Sequence, residues 1–60
     1  MRLTTIEDAR QHLEEVRLDV AADMGEAAVE VAWNDLVRYV AADCTPEVAA
    51  ELYRREGVEA

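Results

Sequence analysis

Six apolar residues near the start of this 60-residue chain, Ile6, Ala9, Leu13, Val16, Val20 and Met24, recur at steps of three and four. That period is one face of an α-helix, whereas a half-buried strand would alternate every second residue. Val29, Trp33, Leu36, Val37 and Val40 repeat the pattern, and Val48, Ala49, Leu52 and Tyr53 repeat it again. The constraint is therefore helical throughout, and the remaining question is where each helix stops.

Thr5 followed by Asp8 reads as a capping box with Asp in place of the usual Glu, which starts the first helix. Gly25 is its natural stop, because glycine accepts the left-handed conformation of a helix C′ position. A single helix running through Gly25 is the competing reading. The second apolar stripe argues against it, being rotated from where the first would continue. Asp23 with Glu26 reads as a further capping box. Thr45 and Pro46 supply an N-cap and a first helical residue whose missing N–H costs nothing. Gly57 closes the third helix, with Arg54 and Arg55 in its last turn complementing the helix dipole. The expectation is an all-α single domain over residues 1–60. It has an αα-hairpin (about 5–24 and 26–43) and a short third helix (about 46–56), with residues 58–60 frayed.

Size limits what such a domain can do alone. A chain this short buries only about 60% of the surface its unfolded form exposes, and eleven of its hydrophobic residues are Ala. The single Cys44 excludes an internal disulfide, and Cys44 with His12 cannot supply the four ligands of a structural zinc site. Self-association or docking to a partner is the expected remedy. No Ser, Lys or Phe occurs. A catalytic serine, a Schiff-base lysine, a P-loop lysine and a basic nucleic-acid-binding arm are therefore excluded. One cysteine and no leader-like N-terminal pattern predict a cytoplasmic protein. No apolar run approaches the roughly 20 residues that span a bilayer, and acidic faces are repelled by anionic lipid, so no membrane role is expected.

Fourteen Asp and Glu stand against six Arg, a formal net charge of −8. Sorted by helix face, this charge is uneven. Glu7, Arg10, Glu14 and Arg17 lie along one flank of the first helix and are expected to pair with one another, at about 0.2 to 0.5 kcal/mol per pair. Asp8, Glu15, Asp19 and Asp23 lie on the other flank, where the only other titratable residue is His12. Carboxylates four residues apart rise about 6 Å per step, and like charges at that spacing cost stability. Glu26 and Glu30 are expected to carry the acidic edge across the hairpin turn.

A solvated face is the commonest role of such a row. The alternative is that the row is used. Duplex DNA presents about one negative charge per 1.7 Å of axis, and a ladder of carboxylates can occupy a basic groove built for phosphates. Leu18 and Val31 lie nearly opposite the core stripes of their helices and predict an apolar contact surface. His12 between Asp8 and Glu15 is better read as a solvated ring than as a metal ligand or acid/base partner, since nothing encloses it. Trp33 reads as core, Tyr39 and Tyr53 as rings packed with wet hydroxyls, and Cys44 as a buried filler.

The resulting expectation is a non-catalytic acidic interaction protein without metal or cofactor. It would mimic nucleic acid and block a basic nucleic-acid-binding surface without binding nucleic acid itself. In size, charge and shape it is similar to the small acidic inhibitors that phages deploy against host defence complexes, anti-CRISPR proteins among them. Its contact residues would be Asp8, Glu15, Leu18, Asp19, Asp23, Glu26 and Glu30. The rival expectation is an antitoxin-like or adaptor module that binds a protein, or itself as a homodimer, through Leu18, Val31 and Tyr53.

Overall fold

The computed structural model describes residues 2–59, and its three helices are α1 (Ile6–Met24), α2 (Glu26–Ala41) and α3 (Pro46–Glu56). The chain is an all-α bundle, as the apolar spacing required. Thr5 is extended, and its Oγ1 accepts a hydrogen bond from the Asp8 amide at 3.2 Å, so the first cap forms as expected. The second does not. Asp23 is still helical in the last turn of α1, and α2 starts without a side-chain cap.

Gly25 alone joins the two helices. Its amide donates to Ala21 O at 2.9 Å, closing α1, and the next residue already belongs to α2. Its φ of 95° and ψ of 164° lie outside the left-handed helical well expected for a C′ glycine. They fall in the extended positive-φ region that is essentially restricted to glycine. A chain reversal without a loop is possible because this one residue takes the whole turn.

α2 ends at Ala41, two residues earlier than the apolar pattern suggested. Asp43 and Cys44 amides donate to Val40 O and Ala41 O, tightening the end into i→i+3 turns. Here the N-terminal segment enters: Leu3 N donates to Asp43 O at 2.7 Å, and Thr45 N donates to Leu3 O at 3.1 Å. This single parallel bridge between Leu3 and Cys44 pins Leu3 into the core. Thr45 holds the extended geometry of an N-cap, but its hydroxyl makes no cap hydrogen bond.

The third helix ends as Gly57 predicts, in the left-handed conformation, and then continues into ordered chain. Gly57 N donates to Arg54 O at 3.4 Å and Val58 N to Tyr53 O at 3.0 Å. Those two bonds are the Schellman arrangement, which brings the residue after the glycine back against the helix. Val58 is buried, and Arg38 Nη2 donates to Glu59 O at 3.2 Å. The expected fraying is therefore wrong for Val58 and Glu59, while Ala60 lies outside the described residues.

One cluster forms the core: Leu3, Ala9, Leu13, Val37, Val40, Ala41, Cys44, Val48, Leu52 and Val58. It sits at the end of the hairpin away from Gly25, where α3 and the Leu3 segment close over it. Toward Gly25 only α1 and α2 remain. There Met24, expected in the core stripe, is 68% exposed. Trp33 is half-buried and packs against the cluster rather than filling its centre.

Candidate functional site

On α1 the residues Asp8, Glu15, Leu18, Asp19 and Asp23 are all exposed, as the helical spacing implied. At 3.6 residues per turn the four acids fall within an arc of about 80° on one flank with Leu18 at its outer edge, and Asp8 to Asp23 spans about 22 Å along the axis. α1 contributes no base to this face. His12 is the one other titratable group within it, half-buried, with Nδ1 3.7 Å from Glu15 Oε1.

The N-terminal segment alters this flank. Arg2, Leu3 and Thr4, drawn in by the bridge to Cys44, line an open depression of about 430 Å³ together with Asp8, Gln11, His12 and Glu15. A base thus borders the acidic row from outside the helix, which helical periodicity could not reveal. Among the described residues no three His, Cys, Asp or Glu side chains are grouped to hold a metal ion.

The other flank of α1 behaves differently from its expected pairing. Arg17 binds Glu14 at 2.6 Å and reaches across the hairpin to Glu26 at 3.4 Å. Arg10 and Glu7 form no ion pair among the described residues. The Glu14 carboxyl is held below its ordinary value by the hydrogen bond from Arg17, with the guanidinium charge adding to the effect. Arg17 lies about 160° around the helix from Asp19. Glu26 therefore belongs to the mixed-charge flank, and Glu30, one turn further along α2, follows it. The chain reversal at Gly25 thus brings Glu26 to Arg17, away from the flank that holds Asp8, Glu15, Asp19 and Asp23.

Leu18 is 52% exposed and Val31 89%, as expected, but Tyr53 is half-buried against the core. The exposed tyrosine is Tyr39, at 62%. Its ring was expected to pack, but it falls about 80° around α2 from Val31, on the side turned away from the core. Cys44 is buried, with Sγ donating to Val40 O at 3.3 Å, and burial together with the Asp43 charge pushes its thiol pKa up. That environment suits a packed thiol rather than a nucleophile. No helix among the described residues is long and apolar enough to cross a membrane. No protein-family model, curated protein or solved structure matches the chain.

Proposed function

We propose that this chain is a non-catalytic cytoplasmic protein that docks the outward face of α1 on a basic surface of a nucleic-acid-handling partner. In this reading Asp8, Glu15, Asp19 and Asp23 stand in for backbone phosphates, and Leu18 adds apolar contact at the edge. The phage inhibitors of host defence complexes, including anti-CRISPR proteins, are the concrete class it fits. The observation that carries the reading is the segregation of charge. Arg17 neutralises Glu14 and Glu26 on one flank, while four exposed carboxylates on the other receive no base from their own helix. Like charges at one-turn spacing cost stability, and a basic partner would recover that cost on binding.

The adaptor or antitoxin-like reading draws less support. It counted on Tyr53, which is half-buried in the bundle.

The test is capture of partners from the native host, or from that host under phage infection, with washes at low and high salt. High salt and excess duplex DNA are both expected to release the partner. Asp19→Arg or Glu15→Arg should weaken capture by about tenfold or more, whereas Glu26→Arg should change it little. A partner retained through high salt, DNA competition and both charge reversals rules out the mimic.

A further inference from the structure

We infer that the outward face of α2 is the interface of a two-fold symmetric dimer of this chain, with the two α2 helices running antiparallel. The inference is independent of the acidic face, which lies on α1.

α2 carries apolar residues on two sides. Its inner side buries Val29, Val37, Val40 and Ala41. Its outer side exposes Ala27, Val31, Asp35, Arg38, Tyr39 and Ala42. A helix that merely covers a core presents polar residues outward. Here a β-branched residue in mid-helix, Val31, is 89% exposed, and an aromatic two turns later is 62% exposed. The acidic flank of α1 carries Asp8, Glu15, Asp19 and Asp23 and no Arg of that helix. The outer side of α2 carries one acid and one base, so its charge balances on a chain of net charge −8.

The occupant is identified by how those two charges are placed. Val31, Asp35, Arg38 and Ala42 follow one another at steps of four, three and four, the seam spacing of a coiled coil. Within one chain Asp35 and Arg38 are only loosely paired, at 3.9 Å, and Arg38, whose Nη2 donates to Glu59 O, keeps its side chain half exposed and its Nη1 toward Asp35. Set a second α2 antiparallel with Asp35 opposite Arg38 of the second copy. The two-fold axis then places Arg38 opposite Asp35 of that copy, so both pairs form at once. The same register sets Val31 against Ala42 of the other copy, twice, a large residue facing a small one. This patch complements itself, which is the requirement of an isologous dimer. Association through it would bury the exposed apolar residues and leave the α1 acidic faces open. It would also supply the burial that a 60-residue chain lacks.

Sedimentation equilibrium on the full chain, from about 10 µM to about 1 mM, tests this, with helical circular dichroism confirming that each variant folds. Wild type should show a concentration-dependent dimer. Val31→Glu, at a site too exposed to matter for the fold, should leave monomer only. Asp35→Arg alone and Arg38→Glu alone should each raise the dissociation constant by about tenfold or more. Mixing those two variants should restore association as a heterodimer, visible by native mass spectrometry, because every facing pair is again opposite in charge. Wild type that stays monomeric across the range overturns the inference. So does a dimer that survives Val31→Glu, or a mixture of the charge variants that fails to pair.

Discussion

The two ends of the α1–α2 hairpin are built from the same residue types but held together differently. At the end near Leu3 and Cys44, α3, the N-terminal segment and Val58 all converge. The fully buried Val37, Val40 and Leu52 lie there. At the Gly25 end two helices face each other without a third layer, Met24 is exposed, and Arg17 with Glu26 makes the ion pair across the gap. Among the described residues, the Leu3 segment, α3 and Val58 seal one end of the hairpin and leave the other to α1 and α2. Most of the buried core thus lies at one end, and the other rests on the Gly25 turn, the Arg17–Glu26 pair and Val29, buried outside the main cluster.

Substitutions should separate the two ends. Leu52→Ala removes a side chain with no solvent exposure and is expected to cost about 2 to 5 kcal/mol in urea denaturation. Met24→Ala, at the same nominal face of its helix, should stay within about 0.5 kcal/mol. Equal costs would mean that the Gly25 end is packed in solution. Gly25→Ala tests the backbone itself. A Cβ there meets nothing within 4 Å, so the expected loss of about 1 to 3 kcal/mol comes only from the positive φ. A neutral result would show that the turn opens readily.

The smallest effect is electrostatic and should touch both ends. Glu14, hydrogen-bonded by Arg17, and Glu51, hydrogen-bonded chiefly by Arg55, have carboxyls lowered from the ordinary 4.5. A lowered folded-state pKa adds stability above the unfolded value, and this is lost as pH falls through the folded one. The melting temperature should therefore show no loss from these groups between pH 7 and pH 5, and a decline below about pH 4.5. Glu51→Gln should flatten that decline. An unchanged acid profile in the variant would remove Glu51 from the account.

Much of the fold was legible because helix punctuation is local. Gly25, Pro46 and Gly57 act within a turn of themselves, and each marked a real boundary. The Leu3 bridge was invisible, since one pair of residues far apart in sequence leaves no periodic trace. Val58 did leave a signal: an apolar residue directly after a C′ glycine is the Schellman pattern. The candidate site was half legible. Spacing along one helix kept Asp8, Glu15, Asp19 and Asp23 on one flank, but spacing cannot carry a flank through a chain reversal, and Glu26 pairs with Arg17 instead of extending the row. Arg2 was missed because its neighbourhood depends on the bridge.

That bridge also bears on the order in which the molecule assembles. Joining residues 3 and 44 of an unfolded chain closes a loop of about forty residues, at an entropic cost of about 3 kcal/mol. Once α1 and α2 have zipped from Gly25, the same two residues are already neighbours and most of that cost has been met. Loop closure on that route would favour late docking of the Leu3 segment, on a structure otherwise complete. Contacts absent from the transition state govern unfolding rather than folding. Leu3→Ala is accordingly expected to speed unfolding in stopped-flow measurements and leave the folding rate nearly unchanged, the behaviour of a latch on the folded state's lifetime.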